Sequence, residues 1–510
     1  MGTTHMTSLN RRDAWQLLVV LVLAAAVRCY RLGFASLWLD EALTIRIANL
    51  PLSELWVTPY DPTPPLYYTV IHFLLSFGHS ESVLRMPSVL FGLLTVVMIY
   101  LATRKLAGAT AAFAAALILA LSFHNIEYSQ EARAYSLLGL CLSVSLLGLI
   151  NLGLRWQDSC AGFTFRKFLG SGGALYAMGL IAALYTHNAA VFYWLCVQLF
   201  FLAWWVRPFK FSLPCIASWA AVNMAVLLLW TPWLLVSIQM ISQDVFSWLP
   251  QATPESAFAT WRAVNGLRTV DFAQPYADLL LAVAAIAGLY SLRRNLPLVI
   301  LLFSLLILSG IATWAYGAVA SPVFMLRTIL WTSLIAAILV GIGISRLPVI
   351  PGAVLLLLVL AAQAKGVSDY FNVNFAEKES WRAVATVFNE QQRPGDILLI
   401  RQSYLEAPFF YYVDTSSPDW DIYGWDCADN SGLAGDIVEV DSIKRIAWRS
   451  SDLGPRNPIP VKAGATLWLI QSHCQPQNWT EADAVFFPGW RPEKEWGFKG
   501  IFLYRLVPAR

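Results

Sequence analysis

Two adjacent carboxylates, Asp40 and Glu41, are the first candidates for chemistry in this chain of 510 residues. They follow the first long apolar run, where a membrane helix is expected to end. Ionisable residues are costly to place near a membrane, so their presence there points to a function. We predict Asp40 as a general base and Glu41 as a neighbour that binds metal or substrate. The alternative is an N-terminal helix cap, since an aspartate before helix-forming residues suits that position.

Two further polar stretches are candidates for ligand binding. Asp61 begins a proline-rich turn whose fixed backbone would hold the carboxylate in place, and the alternative is a simple turn starter. Glu131 and Arg133 precede an apolar run and could hold a ligand at its start. The alternative there is a capping glutamate and an arginine that extends its head group towards the interface.

Basic residues at predicted outer helix ends suggest an anionic substrate. Arg85 and Arg327 lie against the usual bias of positive charge towards the cytoplasm, and arginine suits bidentate phosphate binding. His187 could ligate a divalent metal together with carboxylates, or it could be a hydrogen-bonded interface residue. The sequence contains no P-loop, dinucleotide fingerprint or Gly-x-Ser-x-Gly elbow, so it does not support nucleotide binding.

The composition is that of a multi-spanning membrane protein. Hydrophobic residues make up 57% of the chain and charged residues 13%, against about 25% charged in an ordinary soluble domain. Aromatic residues reach 14%, as expected where many helix ends meet a lipid–water interface. The net charge of +3 is too small to suggest a nucleic-acid partner.

Length and Lys/Arg bias predict eleven spans, or up to 13, with a cytoplasmic N-terminus. The run Pro64–Phe77 is too short to cross and is predicted to be interfacial or re-entrant on the outer side. The alternative, a short true span, would invert every later loop. The eleven predicted spans are 14–33, 84–103, 107–123, 134–153, 168–186, 189–206, 213–238, 276–292, 297–316, 323–345 and 349–366.

We therefore predict a membrane domain over residues 1–366, with a first outer loop at 34–83 that carries interfacial helices. Residues 367–510 are polar and rich in turn residues, and they predict a C-terminal extracytoplasmic α/β domain. Its predicted elements are a helix at Glu379–Gln391 and strands at 396–400, 466–470 and 500–506. Cys427 and Cys474 could form a disulfide there or remain as two thiols.

Four polar or proline-containing stretches follow one another along the chain. They are Asp40-Glu41, Asp61 with Pro64-Pro65-Leu66-Tyr67-Tyr68, Leu84-Arg85-Met86-Pro87-Ser88 and Tyr128-Ser129-Gln130-Glu131-Ala132-Arg133-Ala134-Tyr135. This ordered set resembles the GT-C membrane glycosyltransferases of the protein O-mannosyltransferase and lipid A aminoarabinose transferase type, in the bacterial family 39/83 branch. Thr63 stands where the aminoarabinose enzymes carry a lysine, so a strict aminoarabinose transferase is not expected.

The resemblance implies a GT-C fold in the inner (plasma) membrane and an inverting glycosyltransferase. The donor would be a polyprenyl-phosphate sugar, the acceptor a lipid, glycan or protein, and no nucleotide would take part. A divalent metal (Mg, Mn or Zn) is a further possibility. Alternative functions are an oligosaccharide ligase or polymerase, or a flippase of lipid-linked sugars. The implied roles are Asp40 as general base, with Glu41 beside it; Arg85, Arg133, Arg327, Tyr67 and Glu131 as donor and phosphate ligands; and Asp61 and His187 as metal ligands.

Overall fold

The computed structural model divides the chain into two compact units, which are described separately. The first comprises Met1–Leu32 and Pro51–Asn372, and the second comprises Gly33–Leu50 and Val373–Arg510. The described residues are 10–57, 61–155, 164–205, 213–242, 249, 251–267, 272–372, 378–401, 405–413, 421–425, 464–472, 487 and 489–509.

The first unit is built from helices. Two short 3-10 helices, Leu75–Phe77 and Leu326–Ile329, and two π-helical turns, Leu169–Gly173 and Ser304–Leu308, accompany the α-helices. The α-helices are Arg11–Cys29, Leu52–Leu55, Leu66–Leu74, Glu81–Ala107, Ala109–Ala120, Phe123–Ser129, Tyr135–Arg155, Phe165–Phe168, Ala174–Leu184, Ala190–Trp205, Leu213–Ser242, Pro254–Asn265, Gln274–Ser291, Leu296–Phe303, Ser309–Val319, Thr332–Ser345 and Val349–Phe371.

Each predicted span coincides with helical structure, and three of them are interrupted. The segment predicted at 168–186 contains the π-helical turn Leu169–Gly173, where Gly172 has a non-helical backbone with φ 137°. The segment predicted at 107–123 ends at a 60° bend, after which Phe123–Ser129 continues as a separate helix. The segment predicted at 323–345 begins with a 3-10 turn, and its α-helix starts only at Thr332. The hydroxyl of Thr328 donates to the carbonyls of Val323 and Met325 there, and such local bonds compete with an α-helix.

The number of spans stays a prediction. Six of the described helices are long and apolar enough to cross a membrane, or seven if the bent pair is one span. The helix Leu66–Leu74 with its 3-10 extension to Phe77 has the short length that the sequence predicted for an interfacial or re-entrant segment.

Small residues bring the helices of the first unit close together. A Cβ atom at Gly179 would lie 2.5 Å from the Ser145 nitrogen and 2.6 Å from the Cys141 carbonyl oxygen. A Cβ atom at Gly341 would lie 2.6 Å from the Ala115 nitrogen. Close backbone approach of this kind is how membrane helices gain packing energy where lipid is as apolar as their own side chains.

The second unit contains helices and a mixed five-stranded sheet. Its helices are Leu39–Ala48, Trp381–Gln391 and Glu406–Tyr412, and its strands are β1 (Ile397–Arg401), β2 (Asp421–Trp425), β3 (Leu467–Gln471), β4 (Trp490–Phe498) and β5 (Ile501–Pro508). The strand order in the sheet is β2-β1-β3-β5-β4. Strand β1 pairs in parallel with β2 and β3, while β5 is antiparallel to β3 and β4.

The core of this unit explains why β1 and β3 are continuous apolar runs. Both strands are buried along their whole length, as expected of parallel strands covered on two faces. One face packs beneath Trp381, Phe388 and Phe409. The opposite face packs with Tyr504 and Phe487.

The predicted α/β character of the C-terminal region is confirmed, and three elements were missed. They are the helix Glu406–Tyr412 and the strands β2 and β4. Strand β4 is an exposed edge strand from Arg491 to Glu495, so it lacks the apolar pattern that identifies a buried strand. Cys427 and Cys474 lie outside the described residues. The predicted domain division at 366/367 stays a prediction; that position falls inside the helix Val349–Phe371.

Candidate functional site

Asp61 is the centre of a polar cluster in the first unit. Its Oδ1 accepts from the Thr63 amide at 2.9 Å and from the Thr63 hydroxyl at 3.0 Å. Its Oδ2 accepts from the Tyr68 hydroxyl at 2.7 Å and lies 3.5 Å from the Arg133 guanidinium. Asp61 therefore both starts the turn, as the simpler alternative supposed, and joins a buried network.

These donors determine the charge of Asp61. Burial alone would raise the pKa of this carboxyl, but the Arg133 charge and the hydrogen bonds from Tyr68 and Thr63 outweigh it and lower the pKa. Asp61 is therefore ionised at neutral pH, and it neutralises the nearby guanidinium.

The segment that carries Arg133 is held by the end of the first helix. Gln130 donates from Nε2 to the carbonyl oxygens of Arg28 (2.9 Å) and Tyr30 (2.8 Å). The fully buried Arg28 in turn donates to the Ala120 carbonyl at 2.8 Å, at the C-terminal end of the helix Ala109–Ala120. A guanidinium at a helix C-terminus satisfies its last carbonyls and complements its dipole. Arg133 therefore lies on a non-helical stretch that the Gln130 hydrogen bonds hold in place.

Tyr135 lies among three cationic or ionisable side chains. The guanidinium of Arg133 is 6.0 Å from its ring centroid and that of Arg327 is 5.7 Å away. The His187 ring lies 5.7 Å away at 45°, and Tyr128 packs edge-on at 4.9 Å. The negative face of an aromatic ring attracts cations, so both guanidiniums gain an attractive contact with the same ring.

His187 is neutral at physiological pH. Burial, with the nearby Arg327 and Arg133 charges, lowers its pKa to about 4, although Asp61 acts in the opposite direction. Its Nδ1 accepts from the Ala189 amide at 3.1 Å, so the proton of the neutral ring is on Nε2. In this tautomer His187 is a hydrogen-bond donor.

The described residues add no third protein ligand to the metal site predicted from Asp61 and His187. Within the described ranges, no group of three or more His, Cys, Asp or Glu side chains is placed to hold a metal ion. The Asp61 oxygens are engaged by protein donors, and the Nδ1 atom of His187 is engaged by a backbone amide. A metal bound through this pair stays a prediction.

The other predicted ligands of the first unit are buried in helix contacts. The Tyr67 hydroxyl bonds Ser88 at 2.8 Å, and Ser88 donates to the Arg133 carbonyl at 3.4 Å. Arg85 donates to the Leu32 carbonyl at 2.9 Å, and Glu131 is 5% exposed. Donor or phosphate binding by Tyr67, Arg85 and Glu131 therefore stays a prediction.

Asp40 and Glu41 belong to the second unit, in the first turn of the helix Leu39–Ala48. The N-cap of this helix is Trp38, so Asp40 is not the capping residue that the alternative interpretation required. Asp40 is half-buried, whereas Glu41 is completely buried. Both carboxylates still lie where the positive end of the helix dipole favours them.

The sequence interpretation assigned no role to several residues of the Asp61 cluster. Tyr68, rather than its neighbour Tyr67, bonds Asp61, and Tyr135 supports the two arginines. Asn188 donates to the Pro62 carbonyl at 2.9 Å and holds the proline turn. Both tyrosines are buried, so their adjacency in the sequence did not indicate which hydroxyl reaches Asp61.

One family model matches part of the chain. Residues 62–156 match a model described as dolichyl-phosphate-mannose-protein mannosyltransferase. The match includes Tyr68, Arg85, Arg133 and Tyr135 and begins one residue after Asp61. Among curated protein sequences, nothing matches the chain.

The fold is similar to solved structures of ArnT from Cupriavidus metallidurans. The apo structure is 14% identical, covers 97% of this chain and 98% of that chain, and gives a TM-score of 0.62. The structure bound to undecaprenyl phosphate is 15% identical, covers 96% and 98%, and gives a TM-score of 0.58. These matches confirm the predicted fold of membrane helices with a C-terminal domain. With the family model, they agree with the glycosyltransferase resemblance predicted from the sequence.

Proposed function

We propose that this protein is an inverting glycosyltransferase that acts at the outer face of the plasma membrane. It moves a sugar from a polyprenyl-phosphate donor to a lipid, glycan or protein acceptor. The observation that carries the proposal is the pair of guanidiniums, Arg133 and Arg327, beside the Tyr135 ring with Asp61 as counter-ion. Such a cluster suits a phosphodiester, and undecaprenyl phosphate is bound in one of the ArnT structures with a similar fold.

The reaction needs one base and one anion-stabilising cluster. Asp40 accepts the proton of the acceptor hydroxyl, whose oxygen attacks the anomeric carbon of the donor. The bond between that carbon and the phosphate oxygen breaks on the opposite side, so the anomeric centre inverts. The polyprenyl phosphate leaves with the electron pair of that bond and gains one negative charge.

Arg133 and Arg327 are proposed to stabilise the departing phosphate. Asp61 pairs with Arg133, and the Tyr135 ring contacts both guanidiniums before substrate arrives, so little reorganisation is needed during the reaction. Removing one preorganised donor of this kind lowers the rate by a factor on the order of 10²–10³. His187 adds a neutral Nε2–H donor, which does not depend on pH above about 4.

The proposed orientation puts the N-terminus in the cytoplasm and the C-terminal region outside. Thiol labelling of intact cells tests it, with single cysteines in a cysteine-free background. Ser76→Cys is expected to react with an impermeant maleimide, and Lys105→Cys to react only after lysis; both positions are exposed. The reverse labelling pattern would contradict the orientation.

Transfer of radiolabelled sugar from polyprenyl phosphate by the purified protein tests the function. Asp40→Asn is expected to lower the rate by about 10²–10⁴, because general bases contribute that much. Asp369→Asn is the matched control, since Asp369 is an exposed carboxylate paired with Lys365. Equal rates for Asp40→Asn and wild type would disprove the assigned base. Movement of lipid-linked sugar across vesicles without product would instead favour a flippase.

A further inference from the structure

The segment that carries Asp40 folds with the C-terminal residues. The Ser36 hydroxyl donates to the Glu379 carbonyl at 2.5 Å, and the Leu37 amide donates to the Tyr412 hydroxyl at 2.7 Å. These partners are more than 340 residues apart in the chain. The stretch just before Asp40 is therefore held in place by hydrogen bonds to C-terminal residues.

Two backbone carbonyls of this segment accept hydrogen bonds from one arginine. Arg382, on the helix Trp381–Gln391, donates to the carbonyls of Phe34 at 3.2 Å and Gly33 at 3.3 Å. Lys378 places its ammonium 3.9 Å from the Trp38 ring centroid, within cation–π distance. The tail thus contacts the segment at several positions before the helix begins.

The helix Leu39–Ala48 is anchored on both sides of Asp40. Leu39 packs against the apolar core formed by Trp381, Phe409 and their neighbours. Two turns later Arg46 forms an ion pair with Glu406 at 2.5 Å, and the Glu406 side chain is 6% exposed. A ten-residue helix is marginal by itself in water, so its position depends on such packing.

We propose that the C-terminal residues that contact the segment Gly33–Leu50 position the Asp40 carboxylate for proton transfer. Arg46, Glu406 and Tyr412 are the positioning residues, because their bonds fix the short helix that carries it. This inference rests on the proposed function, in which Asp40 is the base. A shift of about 1 Å in a reacting group costs on the order of 10²-fold in rate, so a loose helix would be a poor base carrier.

The first test compares the same Glu→Gln and Arg→Met substitutions at the Arg46–Glu406 ion pair and at exposed positions. Glu406→Gln and Arg46→Met are expected to lower kcat about 10- to 100-fold and to leave the KM for the donor unchanged. Glu390→Gln and Arg393→Met are the matched controls, since both residues are exposed in the same unit. Unchanged kcat in Glu406→Gln and Arg46→Met would overturn the proposal, as would a rise in KM alone.

The second test asks whether the effect of Glu406 on the transfer rate depends on Asp40. Adding Glu406→Gln to Asp40→Asn is expected to cause no further loss of the residual rate, because a missing base needs no positioning. If Glu406→Gln lowers the rate of Asp40→Asn by the same factor as it lowers the rate of the wild type, the inference is overturned. If Asp40→Asn itself transfers sugar normally, the proposed function fails independently.

Amide hydrogen exchange supplies a readout that needs no activity. Glu406→Gln and Tyr412→Phe are expected to speed exchange in residues 37–46 while leaving the helix Tyr135–Arg155 at its wild-type rate. Unchanged exchange in residues 37–46 would contradict the anchoring. Equally faster exchange in both segments would show general destabilisation and would also overturn the specific role.

Discussion

The two units each bury a carboxylate against an arginine, and the two carboxyls respond in opposite ways. Asp61 lies 3.5 Å from Arg133, and its pKa is lowered. Glu406 lies 2.5 Å from Arg46, yet its pKa is raised, because burial outweighs the Arg46 charge and hydrogen bond. Asp61 has three additional donors, from Thr63 and Tyr68. The additional donors, acting with the Arg133 charge, explain why the Asp61 pKa is lowered although its arginine is farther away.

The largest effects are expected when each arginine is removed. Arg133→Met leaves Asp61 as an ionised group without its cation, which costs about 3–5 kcal/mol of stability, and it also removes a proposed phosphate ligand. Arg46→Met is expected to lower stability less, because the raised pKa of Glu406 lets that carboxyl take up a proton. Thermal melts in detergent, run beside transfer assays, measure both. Equal losses in Tm would contradict the comparison.

The two adjacent tyrosines test how much the added donors contribute. Tyr68→Phe removes a hydrogen bond to an ionised carboxylate, which is worth about 1.5–3 kcal/mol. Tyr67→Phe removes a bond between neutral hydroxyls, which is worth about 1 kcal/mol. The Tm of Tyr68→Phe is therefore expected to lie below that of Tyr67→Phe. The reverse order would mean that Asp61 does not depend on its hydroxyl donor.

The pH dependence of stability should separate the two units. The His187 pKa is lowered to about 4 on folding, so its contribution is present above the unfolded value of about 6.5 and is lost as pH falls. The Glu406 pKa is raised on folding, so its contribution is complete below about pH 4.3 and is lost as pH rises.

Melting curves between about pH 7 and pH 4.5 check these opposite signs. His187→Gln is expected to lose less Tm on acidification than wild type, because it lacks a group that must stay neutral. Glu406→Gln is expected to lose more, because it lacks a group that gains a proton favourably. Shifts of the same sign in both variants would refute the assignment of either group.

The smallest effect is expected at an exposed ion pair. Lys365 and Asp369 are 2.8 Å apart, but their side chains are 50% and 51% exposed. Water and salt screen such pairs, so Lys365→Ala should change stability by less than about 0.5 kcal/mol and leave transfer unchanged. A loss of Tm as large as that of Arg46→Met would show that burial is not what separates these pairs.

Much of the fold was predictable because local patterns determine it. Long apolar runs predicted the helices, and continuous apolar runs predicted β1, β3 and β5. The edge strand β4 was not predictable in this way, since an exposed strand has no buried face to impose a pattern. The interruption before Thr332 was also missed, because it depends on how the Thr328 hydroxyl bonds nearby carbonyls.

The candidate site was predictable by residue type but not by partnership. Asp61, Arg133, Arg327 and His187 were identified as polar residues near membrane ends, yet nothing in their spacing indicated Tyr135 as their common neighbour. Asp40 illustrates the same limit. Its sequence allowed a helix cap, and only the observed helix start at Leu39 with Trp38 as N-cap removed that interpretation.

The sequence by itself determined that this is a membrane protein of many helices, which residues can ionise, and which family the ordered motifs resemble. Those properties follow from composition and short-range periodicity. Tertiary structure decided the direction in which the pKa of Asp61 and of Glu406 moves, which tyrosine donates to Asp61, and that the Asp40 helix folds with C-terminal residues. Those outcomes depend on contacts between residues up to 375 positions apart. Burial and donor number at such contacts are properties of the packed chain.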